Sequence, residues 1–331
     1  PGTPRGLPIT GWRPLERLDL ASTTLPARLR PDAALGVLDV TEFFGRESGG
    51  VRTYLDRKAA YVAARPALRQ VVVVPSETDA IQEADGVRLY RLRGPRVPMQ
   101  PPYRFMLALR QPRRIVEHER PTLVEIGSPG LVPWVVRYAT RRAGVPLVHF
   151  WHSHYPRQLA GADGRGRLGG WAWRYARHLD RLFARTIVAS DYAARELASA
   201  GIDRVARVPL GVDLEHFHPW RRARAAQTRA AFGLPPHQPL ALYVGRFARE
   251  KRLDLLLRAW PAVRRRTGAR LVLAGEGPDR ARLAALPEAE HAVWIPFVTA
   301  RGGLADLMAA ADLLVAPGPI EMFGLAVLEA M

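Results

Sequence analysis

The chain has 331 residues, no cysteine and a formal net charge of +18. Its length, with 48% hydrophobic and 24% charged residues, suits a globular protein with room for two cored domains; disulfides and thiolate metal sites are excluded, and no apolar run approaches the ~18 residues of a membrane-spanning helix. Only Lys58 and Lys251 among the 49 basic residues are lysines, so the charge is an arginine bias dispersed along the chain. No RNA-recognition, zinc-finger or helix-turn-helix pattern accompanies it. The expectation is no nucleic acid and, at most, peripheral association with an anionic membrane.

Residues 1–30 carry Pro, Gly and Arg without periodicity and read as a loose N-terminal extension. They lack an apolar h-region, so no signal peptide is expected, and the expected location is cytoplasmic, at most peripheral at the inner face of the membrane. Beyond them, short runs rich in Val, Ile and Leu alternate with helix-period segments. Strands are predicted at 35–40, 71–74, 122–126, 146–150, 186–190 and 205–210, with helices at 51–64, 103–119, 131–143, 171–183 and 191–200. The charged, Pro-Pro-containing stretch 211–238 reads as a linker into a second domain. There the alternation resumes, with strands at 240–245, 269–275, 292–297 and 313–317 and helices at 251–266, 278–286 and 303–311. Such alternation with apolar strands predicts two doubly wound α/β domains with parallel sheets, 31–212 and 213–331. Ligands of such sheets bind beyond the carboxyl ends of the strands, so two of them are expected to face each other across a cleft.

The loops after the strands carry the candidate chemistry. In "SGGVRTYLDRKAAYV", Ser48 can cap a helix while Gly49 and Gly50 let backbone amides approach an anion at its positive end; an ordinary tight turn is the alternative. In "HFWHSHYP", three histidines at i, i+3, i+5 across a strand-to-loop junction converge poorly on a metal; one histidine facing the cleft and two held by packing or solvent is expected. In "YVGRFAREKRLDLLLRAW", Arg246 leaves a strand end and Lys251 enters the following helix. A compact ammonium in an arginine-biased chain suits a phosphate oxygen. "LVLAGEGPDRARL" places Gly275 and Gly277 in a turn that could line a nucleotide or be purely structural. In "EMFGLAVLEAM", Glu321 lies in a loop, Phe323-Gly324-Leu325 opens a helix, and Glu329 follows within it. At ~1.5 Å rise per residue the two carboxylates would lie roughly 8–10 Å apart, about the span from a hexose across a diphosphate to a ribose. No Asp-x-Asp occurs, so neither a metal nor another cofactor is expected, and electrostatic stabilisation of a leaving diphosphate would fall to Arg246, Lys251 and helix amides.

Taken in order, "SGGVRTY", "HFWHSHYP", "VPLGVD", "YVGRFAREK", "AGEGP" and "EMFGLAVLE" resemble the retaining glycosyltransferases of family 4, which have the GT-B fold. The resemblance runs from about residue 35 to 331, and its wording is closest to GDP-mannose-dependent α-mannosyltransferases. It implies that Glu321 contacts the donor sugar, that Glu329 binds the ribose and that Arg246 and Lys251 hold the diphosphate. It further implies that Gly49 and Gly50 approach the diphosphate from the other domain, and that His152 lies near the reacting sugar and acceptor. Catalytic roles thus fall on His152, Arg246, Lys251 and Glu321, and donor contacts on these together with Gly275, Phe323, Gly324, Leu325 and Glu329. Glu125, His152 and the aromatic stretch Trp171, Trp173 and Tyr175 are candidates on the acceptor side, and the three aromatics could equally be core.

The implied reaction moves a hexose, mannose among the candidates, from GDP-mannose or a UDP-hexose to a glycan or lipid-linked acceptor, with anomeric configuration retained. Relatives continue past the position of Met331, so the resemblance also implies a truncated second domain. Three other readings stand beside it: a truncated or degenerate protein that binds nucleotide sugar without turnover, a basic nucleic-acid-binding protein, and a GT-B phosphorylase.

Overall fold

The structure, a computed structural model, describes residues 13–15, 20, 22–44, 50–98, 103–160 and 167–331. The chain divides into two units, residues 1–209 and 210–331, each with its own sheet.

Among the described residues the first unit has a nine-stranded sheet. Its order is Arg13–Leu15, Ala80–Ala84, Val87–Arg93, Leu68–Ser76, Leu35–Val40, Leu123–Ile126, Leu147–Phe150, Arg185–Val188 and Val205–Arg207. Ala80–Ala84 is antiparallel to both its neighbours, and every other pairing is parallel. Leu35–Val40 is buried beyond its first residue, as a strand covered on both faces must be. From it the chain winds to Leu68–Ser76 on one side and later returns to lay Leu123–Ile126 on the other. This reversal creates a switch point, where the loops leaving adjacent strands part and open a crevice. On one face the helix Gly50–Ala63 packs Leu55, Ala59 and Val62 against Val72, Val74 and Leu89. The other face holds the larger core, with Leu38, Val40, Val71, Ile115, Val136 and Phe183 among its members.

The second unit repeats the logic with four parallel strands, in the order Ala292–Ile295, Arg270–Ala274, Leu240–Val244 and Leu313–Leu314. Its switch point falls between the last two. The helix Leu253–Thr267 buries Leu253, Leu257 and Trp260, the 3.6-residue face visible in the sequence.

Four features depart from the sequence expectations. The antiparallel hairpin Ala80–Ala84 and Val87–Arg93 was not anticipated, because its polar residues interrupt the apolar run that marks a central strand. The helix predicted from 103 begins at Arg110; before it the chain is a loop whose buried Met106 donates its amide to Glu42 Oε1 at 3.2 Å. Leu20 and residues 22–30 are not loose: Leu20 and Leu25 are buried, Arg114 donates to the Leu20 and Thr23 carbonyls, and Arg30 to those of Val62, Ala63, Arg65 and Leu68. The stretch 211–238 is no linker either. It contains a 3₁₀ turn, Pro219–Arg224, and a helix, Ala225–Ala231. Arg221 pairs with Asp306 and Arg222 with Asp312, while the buried Arg229 donates to the carbonyls of Ala310, Pro236 and Gln238 and to Asp312 Oδ2. An arginine run that reads as solvated is therefore spent on carbonyls and carboxylates of its own unit.

The turns leaving two neighbouring strands of the second unit are zipped together. Gly245 donates to Ala274, Phe247 to Glu276, and Asp279 back to Phe247. The approach is close enough that a Cβ on Gly275 (φ 142°) would stand 2.0 Å from the Gly245 carbonyl oxygen. Gly275→Ala is expected to cost at least about 2–3 kcal/mol, whereas Gly170→Ala, in a helix and with open space around it, should be neutral or stabilise by about 0.5–1 kcal/mol. Thermal denaturation of the two variants distinguishes them.

Candidate functional site

Each switch point carries one of the two lysines. In the first unit the register of Leu35–Val40 with Leu123–Ile126 sets Asp39 directly beside Glu125, and both are almost fully buried, at 2% and 6% exposure. Two neighbouring carboxylates out of water need a counter-charge. Lys58 supplies it from the helix Gly50–Ala63, with Nζ 2.6 Å from Asp39 Oδ1 and 2.9 Å from Glu125 Oε2. One helical turn earlier on the same face, the Tyr54 hydroxyl lies 2.9 and 3.1 Å from the two Glu125 oxygens, and Gln70 Nε2 donates to Asp39 Oδ2 at 2.6 Å. Burial opposes the ammonium, but Asp39 and then Glu125 outweigh it and hold Lys58 above the ordinary lysine range. Burial, reinforced by Asp39 and opposed by Lys58, pushes Glu125 up to about 7. Glu125 is thus engaged by Tyr54 and Lys58 inside the unit rather than held out as a free carboxylate.

His152 follows the strand Leu147–Phe150. It stacks on Phe150 with centroids 4.1 Å apart and planes 3° apart, and the Tyr54 ring lies 5.3 Å away. Burial, aided by His149 and Lys58, pushes it down to about 3. The ring is therefore neutral near pH 7, with one nitrogen to donate and one to accept. His149 is buried against Phe183, and His154 Nε2 lies 3.1 Å from Glu196 Oε2. Among the described residues no group of three or more His, Cys, Asp or Glu side chains is arranged to hold a metal. Gly50 opens its helix with open space where a Cβ would stand; Ser48 and Gly49 lie outside the described residues. Trp171 is 58% exposed and stacks on Tyr175 at 5.5 Å with planes 2° apart. The Tyr175 hydroxyl is anchored on the Pro129 and Gly130 carbonyls in the loop after Leu123–Ile126. Trp173 packs instead toward Trp151 and His154.

In the second unit Arg246 follows the strand Leu240–Val244, and its carbonyl accepts from the Tyr243 hydroxyl at 2.9 Å. Lys251 ends a short 3₁₀ turn, Arg249–Lys251, and its Nζ reaches Glu321 Oε2 across the switch point at 2.5 Å. Both side chains keep contact with solvent, at 23% and 44% exposure. Phe323 precedes Gly324, which takes a left-handed conformation (φ 80°) and caps the helix Leu325–Ala330. Glu329, on that helix, is only 6% exposed in its side chain, and its Oε1 accepts from Arg301 Nη2 at 2.9 Å. The structure thus brings Lys251 and Glu321 together, sets Glu329 on a separate arginine, and gives Gly275 the packing role described above. Arg301, Lys58 and Tyr54 were not singled out from the sequence. For Lys58 a signal existed, since it is the second lysine of an arginine-biased chain.

Residues 48–216 match the family model described as Glycosyltransferase Family 4, and residues 238–331 match the one described as Glycosyl transferases group 1. The chain belongs to glycosyltransferase family 4. It is 33% identical over 300 residues to a GDP-mannose-dependent alpha-(1-6)-phosphatidylinositol dimannoside mannosyltransferase of Mycobacterium tuberculosis, covering 89% of this chain and 76% of that protein. To a GDP-mannose-dependent alpha-mannosyltransferase of the same species it is 35% identical over 269 residues, 78% of this chain and 65% of the relative. Among solved structures, sucrose-phosphate synthase from Thermosynechococcus elongatus superposes with a TM-score of 0.71 over 89% of this chain and 78% of its own, at 20% identity; that likeness concerns the GT-B fold. As a family-4 glycosyltransferase the protein is a retaining hexosyltransferase that takes its sugar from a nucleoside diphosphate.

Removing Lys58 would leave two buried carboxylates facing each other. Lys58→Met is expected to lower the unfolding free energy of this glycosyltransferase by about 3–5 kcal/mol, read from denaturant titration. Between pH 4.5 and about 7 the folded protein keeps a proton on Glu125 that the unfolded chain has released. The stability this group contributes is therefore present below pH 4.5 and lost as pH rises through about 7. Glu125→Gln should flatten the dependence of Tm on pH in that window; an unchanged slope would contradict the proton assignment.

Proposed function

We propose that the protein transfers mannose from GDP-mannose to a lipid-linked or glycan acceptor, with the second unit binding the donor and the first the acceptor. The observation that carries the donor assignment is the Lys251–Glu321 pair at a switch point, an ammonium and a carboxylate within 2.5 Å of each other. In this reading a bound donor exchanges that pair for its own groups. Lys251, joined by Arg246, takes the diphosphate, while Glu321 accepts from sugar hydroxyls. Glu329 accepts from the ribose, and the turn at Phe323, Gly324 and Leu325 borders the diphosphate. The relatives named as GDP-mannose-dependent support GDP-mannose as the donor.

The bond between the anomeric carbon and the β-phosphate oxygen breaks as the acceptor hydroxyl bonds to that carbon on the same face. The hydroxyl proton passes to the departing phosphate oxygen, and the charge developing there is met by Arg246 and Lys251. His152, uncharged near neutral pH, orients the sugar or the acceptor by hydrogen bonding.

On the acceptor side, the outer face of the helix Arg167–Asp180 supports a lipid-bearing substrate at an anionic surface. Leu168 and Trp171 are 60% and 58% exposed, and a shallow, solvent-open groove is lined by Trp171, Arg174, Tyr175, Arg177, His178 and Arg181. Exposed apolar and aromatic side chains among arginines suit the interface of anionic lipids. No helix among the described residues is long and apolar enough to cross a membrane.

Two experiments test the reading. GDP and GDP-mannose should raise Tm more than UDP and UDP-glucose. Lys251→Ala should weaken GDP binding by about tenfold or more, the worth of a charged hydrogen bond, whereas Glu321→Gln should weaken GDP-mannose and spare GDP. Preference for uridine nucleotides, or a Lys251→Ala protein that binds GDP as before, would overturn it. Separately, co-sedimentation with vesicles containing anionic lipid should fall in Trp171→Ala and with rising salt; sedimentation indifferent to both would remove the surface from the acceptor assignment.

A further inference from the structure

Glu329 sits in surroundings unlike those of Glu321. Its side chain is 6% exposed, and the group that meets it is Arg301, the first residue of the helix Arg301–Ala310. The guanidinium of Arg301 is fixed from three directions. Nη2 donates to Glu329 Oε1 at 2.9 Å. Nε donates to Asp213 Oδ2 at 3.4 Å, and the Arg301 guanidinium carbon stands 4.8 Å from the centroid of the Phe217 ring. Asp213 is equally shielded, at 6% side-chain exposure, and is itself held by the turn it starts, its Oδ1 accepting the backbone amides of Glu215 and His216 at 3.2 and 3.4 Å. His216 Nδ1 also meets Asp213 Oδ2, at 2.7 Å, so Asp213, Arg301 and Glu329 form one line of alternating charge anchored at its far end in this turn and its histidine.

We infer that Arg301 is a positioning residue for donor binding: it fixes the Glu329 carboxylate in the orientation that accepts a ribose hydroxyl, with Asp213 fixing Arg301 in turn. The inference rests on the ribose assignment of Glu329 made above. The physical reasons are two. A carboxylate on a helix can turn about its own side-chain torsions, and a hydrogen bond gains affinity only to the extent that the acceptor is already aimed. The forked guanidinium, with donors diverging to two carboxylates and its face on an aromatic ring, removes that freedom at one oxygen, and a lysine, a point charge without the fork, would do so only in part. In addition, a carboxylate near the site proposed for a diphosphate repels it unless a cation lies beside the carboxylate. Arg301 provides that cation away from Lys251, so the two carboxylates of the donor site each have their own positive partner.

The test compares GDP with 2′,3′-dideoxy-GDP, which keeps base and diphosphate and lacks the ribose hydroxyls. Calorimetric titration of the 331-residue chain should show GDP binding on the order of tenfold more tightly than the dideoxy analogue, the worth of one hydrogen bond to a charged group. Glu329→Gln should bring that ratio close to one. Arg301→Met should also lower it toward one, whatever it costs both nucleotides through their shared diphosphate, and Arg301→Lys should recover part of it. A general loss of folding would lower affinity for both nucleotides alike, so the ratio separates aim from stability, and Arg301→Lys gives a milder perturbation of the same position. If Glu329→Gln lowers the ratio and Arg301→Met does not, the positioning role is wrong. If Glu329→Gln itself leaves the ratio unchanged, the ribose assignment falls and takes this inference with it.

Discussion

Asp39 and Glu125 are neighbours because two parallel strands are in register, and that adjacency constrains the whole first unit. Neither carboxylate can turn to water, so a cation must come from an element packed over them. The helix Gly50–Ala63 is that element, and Lys58 and Tyr54, one turn apart, grip the strand ends through it. The apolar contacts of Leu55, Ala59 and Val62 set where this helix lies, while the ion pair sets its rotation and its slide along the sheet. The position of Gly50 at its start follows from both. A buried ion pair of this kind is a poor source of net stability but a strong determinant of register, since alternatives leave a charge unmatched.

The second unit reaches comparable order by a different route. Its two outgoing turns are held to each other backbone to backbone, which only glycine at position 275 permits. The chain then arrives at Lys251 with little freedom left. Glu321, from the far side of the switch point, meets that lysine where both remain partly solvated. An ion pair of this exposure is weak, so its members can be taken over by a ligand at small cost. The buried pair in the first unit and the open pair in the second thus differ in what their surroundings allow them to do.

Much of this was legible in the sequence. Central strands such as 35–40 and 240–245 announce themselves as apolar runs, and the ordered motifs identify the family and its fold. The hairpin at 80–93 was hidden because polar residues interrupt its apolar positions, as in "AIQEADGVRLYRLR". The stretch 211–238 misled because charge pattern cannot tell an arginine in solvent from one, like Arg229, whose donors meet buried carbonyls. For the site, motif spacing located the Lys251 and Glu321 loops but gave no sign that Glu329 is met by an arginine from a different helix, nor that Glu125 is sealed by Lys58. Both are long-range pairings set by how helices lie on sheets, and local pattern carries no record of them.

The scarcity of lysine has a chemical corollary. Arginine does not react with acylating or reductive-alkylating reagents directed at amines, so an arginine-biased protein is nearly inert to them. Here the side-chain amines are only two. One is clasped between buried carboxylates; the other stands partly open at a switch point. Side-chain amine chemistry is therefore confined to two positions, one paired with two buried carboxylates and the other with a single, partly exposed carboxylate at the candidate donor site.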